Sequence, residues 1–285
     1  WHGESLSDRC LLVQGEQVYG DTFMFVRYLP LLSYYGGRIV FECQDRTIRP
    51  ALQGLAGCVA SVVVRDEPLP PVDLQVPLLS LPGLLGTTLE TIPFTQGYLT
   101  PDPQLVARWG THLTAVPGVM QVGLVWGGRK APLNRDRSMQ LHDLQPLFEM
   151  ADVRFISLQL GEDATQVAAF SGQLIDIGGQ IRDFGDTAAL LVQLDLLITV
   201  DTAIAHLAGA LGVPVWVLLK YAPDWRWLLE RPDSPWYRSA VLFRQPHRGS
   251  GWGPVVQAVQ KKLAMVLANR KKTAKVGDES CRLQH

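Results

Sequence analysis

Short apolar segments of strand length recur along this chain and alternate with segments of helical character. In its first part the strand candidates are CLLVQGE (10–16), RIVFECQ (38–44), SVVVR (61–65) and DLQVP (73–77). Strands that are apolar throughout, rather than alternately apolar and polar, are typical of parallel sheets covered by helices on both faces. Between the first two strands, residues 21–35 read as one helix, which Pro30 should kink. The pattern therefore predicts an α/β fold.

The alternation stops in a proline- and glycine-rich stretch around residues 77–103 and then starts again. The new strand candidates are QVGLVW (121–126), VRFISLQ (153–159), QLIDIG (173–178), LLITV (196–200), VWVLL (215–219) and AVLFRQ (240–245). We therefore expect two Rossmann-like domains, residues 1–117 and 118–285, with mostly parallel sheets facing each other across a cleft. The last helix, near residues 254–269, is either part of the second domain or packs back on the first.

Composition excludes several classes of protein. The net charge of −1 gives no general attraction for nucleic acid. The four cysteines are scattered, and neither CxxC nor a His/Cys cluster at metal-ligand spacing occurs, so no metal site is predicted. No apolar run reaches the length of a membrane span. We expect a cytoplasmic protein, free or peripheral to the inner face of the membrane. Because the chain begins at Trp1, we also expect a preceding region.

The segment VDTAIAHLAGALGVPVWVLL (200–219) carries the most specific chemistry. A strand ends at Val200, Asp201 or Thr202 can cap the next helix, and that helix is apolar all round except for His206. The free N–H groups of a buried helix start, together with the helix dipole, favour an anion such as a phosphate. The alternative is that Asp201 is an ordinary cap and His206 a core residue, and the spacing does not decide between these interpretations.

The first block contains a similar feature in QGEQVYGDTFMF (14–25). Here Gly20 and Asp21 lie at a helix start after a strand. Asp21 is either the N-cap of that helix or a carboxylate that faces the phosphate site from the opposite domain. Only the second interpretation gives the residue a role in chemistry.

Several long motifs resemble a known family. They are GEQxxGDxxxFxRYLPLL (15–32), PLLSLPxLLGTTLETIPxxxxYL (77–99), GLVWGG (123–128), RS (137–138), SLQ (157–159), DFGDTAALLxQLDLLITVDTAIAHLAGALG (183–212), DWRWLLERPDSPWY (224–237) and LFRQ (242–245). Together they resemble heptosyltransferase-like bacterial glycosyltransferase domains of the kind that often follow tetratricopeptide repeats. The resemblance covers nearly the whole chain.

This resemblance implies a GT-B fold and a hexosyl- or heptosyltransferase that transfers a sugar with inversion from a nucleotide diphosphate to an acceptor hydroxyl. It implies no metal and no cofactor other than the donor. By residue matching, Asp21 corresponds to the family's proposed base. The residues matched to donor binding are Gln159, Asp201, Thr202, Ala203, His206, Arg137 and Lys130.

The sequence departs from the family pattern at two places. The cationic segment reads GGRKAPLNRDRS, so Arg129, Lys130, Arg135 and Arg137 compete for the phosphate, and we favour Arg137 with Lys130 second. Val18 stands where the family pattern has glycine. The acceptor stays open among a saccharide, a lipid-linked molecule and a protein. Two other functions stay open as well: a nucleotide-sugar epimerase, and a domain that binds nucleotide sugars or proteins without chemistry.

Overall fold

The chain forms an α/β fold with two separate sheets, in which all paired strands are parallel. The computed structural model describes residues 1–129 and 136–282, with side chains described up to residue 273. The predicted α/β class with mostly parallel sheets is confirmed, and all ten predicted strands are present within a few residues of their expected positions.

The first sheet has four strands in the order β3-β2-β1-β4. They are β1 (Cys10–Gln14), β2 (Arg38–Cys43), β3 (Ser61–Val64) and β4 (Leu74–Pro77). Its helices are α1 (Tyr19–Phe25), 3-10 helices at Val26–Tyr35, Arg49–Gly57 and Leu78–Ser80, then α2 (Leu81–Leu84) and α3 (Pro103–Gly110). The chain moves outward from β1 to β3 and then returns to the other side of β1.

The second sheet has six strands in the order β10-β9-β8-β5-β6-β7. They are β5 (Met120–Val125), β6 (Val153–Ser157), β7 (Ile175–Asp176), β8 (Leu196–Val200), β9 (Val215–Leu219) and β10 (Ala240–Arg244). The α-helices are α4 (Gln145–Phe148), α5 (Phe184–Leu191), α6 (Ala203–Leu211) and α7 (Gly253–Arg282). The 3-10 helices are Leu141–Leu144, Glu162–Phe170, Gly178–Gln180 and Trp225–Trp227.

The prediction of one kinked helix over residues 21–35 was wrong, because the segment consists of two helices of different type. The α-helix ends at Phe25, and a 3-10 helix continues from Val26 to Tyr35 with Pro30 inside it. Proline has no N–H to donate to the carbonyl four residues earlier, and its ring collides with that carbonyl in an α-helix. The tighter 3-10 conformation replaces the expected kink.

The long helix α7 packs on the second sheet. Its residues Val255, Val256, Val259 and Leu263 are buried in one apolar cluster with strands β5 and β8. Farther along, Arg270 pairs with Asp195 at 2.8 Å. All of these contacts lie within residues 118–285, whereas the sequence also allowed packing on the first domain.

Each sheet has one switch-point strand. The chain first adds strands on one side of it and then returns to add strands on its other side. Strand β1 lies between β2 and β4, and strand β5 lies between β6 and β8. In open parallel sheets the loops that leave such strands diverge and create a place for a ligand beyond their carboxyl ends. The segments 15–21, after β1, and 126–129 and 201–202, after β5 and β8, are the ones so placed.

Candidate functional site

The start of α6 presents backbone amides without a side-chain cap. Thr202 is the N-cap, with the extended conformation φ −140° and ψ 169°, and its side chain makes no capping hydrogen bond. Its hydroxyl lies 3.2 Å from the hydroxyl of Thr199 instead. Among the residues that the structure describes, no side chain accepts from the N–H groups of Ala203 and Ile204 in the first turn, and free amides at a helix start are the arrangement that binds an anion.

Arg137 lies beside this helix start. A Cβ atom placed on Gly128 would be 3.1 Å from Arg137 Nε, 3.2 Å from Nη2 and 3.3 Å from Thr202 Cγ2, so the guanidinium, the glycine loop and the N-cap threonine are adjacent. Within the described part of the chain, the buried Arg137 Nε has no hydrogen-bond partner. Arg137, the cation favoured by the sequence, thus lies next to the helix start at which the sequence predicts a phosphate. Lys130 and Arg135 lie outside the described residues.

The acidic residue of the segment, Asp201, is half-buried next to these groups. Burial raises the pKa of its carboxyl, against the opposing influence of the Trp227 indole and the Arg137 guanidinium. It is Thr202 rather than Asp201 that occupies the cap position. The Asp201 side chain is consequently left available for an interaction other than helix capping.

His206 is a buried packing residue. Its Nδ1 lies 2.9 Å from the hydroxyl of Tyr237, and its ring stacks on Trp227 with centroids 5.1 Å apart and planes inclined by 21°. Burial lowers the pKa of His206 to about 3, so the ring is neutral at pH 7. Any bond from His206 to a phosphate would be a hydrogen bond between a neutral group and an anion, and not an ion pair.

Asp21 lies at the third position of α1, not at its N-cap as one interpretation of the sequence allowed. The N-cap is Val18, whose N–H donates to Asp21 Oδ2 at 3.2 Å. The other carboxylate oxygen forms an ion pair with Nη2 of Arg226, and Asp21 is only 3% exposed. Both oxygens of the proposed base therefore have a partner.

The starts of α1 and α6 touch each other. A Cβ atom on Gly20 would lie 3.7 Å from Cα of Ala203 and 2.9 Å from Cδ2 of His206. Asp21, the next residue, is consequently brought next to the first turn of α6. The structure places these two predicted parts of the site side by side.

Arg226 also contacts this site, although it is not among the residues matched to catalysis or donor binding. Its Nη1 and backbone N–H donate to Asp224 Oδ1 at 2.8 and 3.0 Å, while its Nη2 reaches Asp21. Burial disfavours its charge, but the hydrogen bonds and charges of Asp224 and Asp21 together raise the pKa of Arg226. Its partner Asp21 is 205 positions away, and sequence spacing gives no signal for such a pair.

The side-chain amide of Gln159, just after β6, bonds the backbone of the loop that follows β5. Its Oε1 accepts the N–H groups of Trp126 and Gly127 at 3.0 and 2.8 Å, and its Nε2 donates to the carbonyls of Gly127 and Leu160 at 3.1 and 2.9 Å. Its amide is fully occupied by backbone groups. In this structure Gln159 supports the loop after β5, and a direct contact with a nucleotide would require those bonds to break.

The described residues contain neither a candidate metal site nor a candidate membrane-spanning helix. No group of three or more His, Cys, Asp or Glu side chains in residues 1–129 and 136–273 is arranged to hold a metal ion. Among the described helices, none combines the length and the hydropathy needed to cross a bilayer.

Comparison with known proteins gives two kinds of similarity. No protein-family model matches the chain. Protein FlbA of Caulobacter vibrioides is 29% identical over an alignment 285 positions long, which covers 91% of this chain and 47% of FlbA. The chain thus spans about half the length of the curated relative that it matches.

Solved structures establish the fold. A glycosyl transferase family 9 protein from Veillonella parvula aligns with TM-score 0.68 and 13% identity, covering 94% of this chain and 100% of that one. The ADP-heptose LPS heptosyltransferase II of E. coli aligns with TM-score 0.57 and 14% identity, covering 92% and 99%. TibC of E. coli, a dodecameric iron-containing heptosyltransferase solved in complex with ADP-D-β-D-heptose, aligns with TM-score 0.58 and 13% identity, covering 93% and 80%. The resemblance to the heptosyltransferases that the sequence motifs predict is confirmed at the level of the fold.

Proposed function

We propose that this protein is a glycosyltransferase that moves a sugar from a nucleotide diphosphate to an acceptor hydroxyl. The observation that carries the proposal is the contact between the uncapped start of α6, with Arg137 beside it, and the start of α1, which bears Asp21. The start of α6 is the proposed anion site, and Asp21 is the carboxylate beside it. Each lies next to a switch-point strand of its own sheet. A displacement reaction needs both groups, one to stabilise the leaving group and one to accept the proton of the nucleophile. Similarity of fold to glycosyltransferases supports this interpretation.

The diphosphate would bind to the Ala203 and Ile204 amides, the Thr202 hydroxyl and the Arg137 guanidinium. These donors stabilise the negative charge that builds up on the diphosphate as its bond to the sugar breaks. We propose that they do so without a metal ion, because the guanidinium and the helix start already stabilise the negative charge of the diphosphate.

In the transfer step the acceptor oxygen attacks the anomeric carbon from the face opposite the diphosphate. The bond between that carbon and the diphosphate oxygen breaks, the diphosphate leaves with the electron pair, and the acceptor proton passes to Asp21. Attack from the opposite face inverts the configuration. The Arg226 guanidinium holds one oxygen of the Asp21 carboxylate in an ion pair.

We propose further that residues 1–117 form the acceptor domain and residues 118–285 the donor domain, on either side of a cleft. ADP-sugars are the first donors to test, because structural neighbours have been solved with ADP and with ADP-heptose.

A second candidate function is nucleotide-sugar binding without chemistry. The observation in its favour is that Asp21 is 3% exposed and that both of its oxygens are engaged. A base must reach the acceptor hydroxyl within about 3 Å, so these contacts would have to rearrange when the acceptor binds.

One experiment separates the two candidates. Thermal stabilisation of the purified protein is measured with ADP-, UDP-, GDP- and CMP-sugars, and consumption of the stabilising donor is then followed in the wild type, Asp21→Asn and Asp233→Asn. Asp233 has a 61% exposed side chain and serves as the matched control.

If the protein is a transferase, we expect the wild type and Asp233→Asn to consume the donor. The rate of consumption should be lower by about a hundredfold or more in Asp21→Asn. Stabilisation without turnover would favour the binding domain. Equal turnover in all three proteins would remove Asp21 as the base, and no stabilisation by any donor would remove the proposed function.

A further inference from the structure

One arginine side chain closes a turn in the family motif DWRWLLERPDSPWY (224–237). Arg244, which belongs to the motif LFRQ and is the last residue of β10, donates from Nη2 to the carbonyl of Trp227 at 2.6 Å. It also donates from Nε to the carbonyl of Arg231 at 3.3 Å. The two carbonyls lie on either side of residues 228–230. The Arg244 guanidinium therefore joins both ends of this turn.

The backbone of the turn is strained. Leu228 has φ 55° and ψ −166°, and Glu230 has φ 25°. Residues with a side chain rarely adopt positive φ, and the combination of angles at Leu228 lies close to a region that is used almost only by glycine. Such conformations persist where contacts from the surrounding structure hold them in place. Arg244 supplies two such contacts.

The start of the same turn carries two side chains of the candidate site. Arg226 pairs with Asp21, and the Trp227 ring stacks on His206 with centroids 5.1 Å apart. Because the carbonyl that Arg244 bonds belongs to Trp227, the bond fixes the backbone of this residue and of Arg226 before it. If the turn opened, the Arg226 guanidinium would move relative to the Asp21 carboxylate.

The contacts of Arg244 point to this structural task. Among the residues that the structure describes, no carboxylate pairs with Arg244, and its buried Nη1 atom has no hydrogen-bond partner. Burial lowers the pKa of its guanidinium. Burying a charge without a counter-ion costs free energy. The planar guanidinium offers N–H groups in a fixed fork, which suits it to bonding two carbonyls at once.

We propose that Arg244 is a positioning residue that holds the turn 227–231 closed and thereby fixes Arg226 against Asp21. The proposal rests on the proposed function, in which Asp21 is the base. Arg244 itself touches neither donor nor acceptor and acts through the backbone of Trp227. A catalytic group displaced by about 1 Å can cost about a hundredfold in rate, so the position of Arg226 affects the reaction.

The chain offers a rescue and two controls. Arg244→Gln removes the guanidinium. Adding Leu228→Gly removes the steric cost at φ 55°, because glycine adopts positive φ readily, so the turn should stay closed without Arg244. Adding Leu229→Gly instead changes a neighbour that is 67% exposed and does not have positive φ, and it should not restore the turn. Arg248→Gln removes an exposed arginine from the segment after β10.

Amide exchange, followed by mass spectrometry, tests whether Arg244 holds the turn. Several N–H groups of residues 226–231 bond carbonyls of the same turn or of the residues just before it, so their exchange reports its opening. We expect exchange to be about tenfold faster or more in Arg244→Gln. It should return to the wild-type rate when Leu228→Gly is added and stay fast when Leu229→Gly is added.

Donor consumption tests whether the closed turn positions the base. The substrate is whichever of the ADP-, UDP-, GDP- and CMP-sugars stabilises the wild type. We expect Arg244→Gln to lower kcat about tenfold and to change the donor KM less than about threefold, because the proposed diphosphate ligands lie outside the turn. Leu228→Gly should restore kcat, Leu229→Gly should not, and Arg248→Gln should match the wild type. Lower stability alone would not lower the kcat of protein that is folded at the assay temperature, which melting temperatures establish.

Three results would overturn the proposal. The first is wild-type exchange at residues 226–231 in Arg244→Gln, which would show that Arg244 does not hold the turn. The second is faster exchange with wild-type kcat, which would show that the turn does not position the base. The third is equal recovery by Leu228→Gly and Leu229→Gly, which would show that strain at Leu228 is not what Arg244 opposes.

Failure of the proposed function is a separate outcome. Wild-type protein that consumes none of the nucleotide sugars would remove the proposed function and with it the positioning of a base. The exchange rates of the same proteins would still decide whether Arg244 holds the turn.

Discussion

Gly20 and His206 are in contact across the two halves of the molecule, and the contact leaves no room for a side chain at Gly20. A Cβ atom there would lie 2.9 Å from His206 Cδ2. The His206 ring cannot move away easily, because it is stacked on Trp227 and bonded to Tyr237. This glycine therefore sets how closely α1 approaches α6, and with it the distance between Asp21 and the proposed diphosphate site.

The first prediction is that Gly20→Ala destabilises the protein. Overpacking of this kind lowers the free energy of unfolding by about 1–3 kcal/mol. Urea unfolding measures the change, with Gly83→Ala as control because a Cβ atom at Gly83 meets nothing within 4 Å. Equal midpoints for the two variants would show that α1 and α6 are not packed as described.

The second prediction concerns Arg137. Replacing it with glutamine removes the charged donor beside Thr202 and should weaken binding of the preferred nucleoside diphosphate roughly tenfold to a hundredfold. Isothermal titration calorimetry with ADP, UDP and GDP gives the affinities. Arg46→Gln, at a side chain that is 84% exposed, should bind like the wild type. If Arg137→Gln binds as tightly as Arg46→Gln, the diphosphate does not lie at the start of α6.

The third prediction is a pH dependence of stability. His206 has a pKa of about 3 in the folded protein and an ordinary value of 6.5. As pH falls below 6.5, the unfolded chain binds a proton at this residue that the folded protein does not, so stability declines between pH 6.5 and about 3. The slope from one such group approaches about 1.4 kcal/mol per pH unit.

The contribution of His206 is isolated by comparison with a residue that does not titrate. His206→Gln should lose less stability than the wild type between pH 6.5 and 4, measured by urea unfolding at each pH. His247→Gln, at an exposed histidine, should follow the wild type. Parallel curves for all three proteins would mean that His206 takes up its proton at the same pH in the folded protein as in the unfolded chain.

The fourth prediction tests the support of the loop after β5. Gln159→Glu keeps the acceptor for Trp126 and Gly127 but places an oxygen opposite the carbonyls of Gly127 and Leu160. Loss of the two donated hydrogen bonds should lower the free energy of unfolding by about 1–3 kcal/mol. It should also speed amide exchange at residues 126–128.

Gln173→Glu is the control for this change, because Gln173 is exposed and no described hydrogen bond of its side chain would be lost. Amide exchange at residues 126–128 is followed by mass spectrometry in both variants. Unchanged exchange in Gln159→Glu would show that the loop is held by other contacts.

The strands could be predicted because the polarity of their residues indicates which faces of each strand are buried. Strand β8 reads LLITV and is buried at every position, as a strand covered on both faces must be. The cap at Thr202 and the end of α6 at Gly212, which adopts φ 74°, likewise follow from local chemistry. Features determined within about ten residues of chain were therefore accessible from the sequence.

The parts that the sequence did not predict depend on distant contacts. The pair Arg226–Asp21 joins residues 205 positions apart, for which the sequence gives no signal, and two tryptophans beside an arginine are as typical of a packed corner as of a site. The family resemblance matches Gln159 to donor binding, but nothing in the local sequence shows that its amide bonds the backbone of Trp126 and Gly127. The α-helix that becomes a 3-10 helix at Val26 depends on how that segment packs, which Pro30 alone does not determine.

Strands β1 and β5 are both interior, each with a neighbour on either side. The groups that would carry out the reaction leave from β1, β5 and β8, whereas the outermost strands β3, β4, β7 and β10 contribute none of them. Insertions or altered loops at these outermost strands would change which substrates the site accepts without displacing the Asp21 carboxylate from the start of α6. The layout thus separates the part of the protein that must stay fixed from the part in which new substrate preferences can arise.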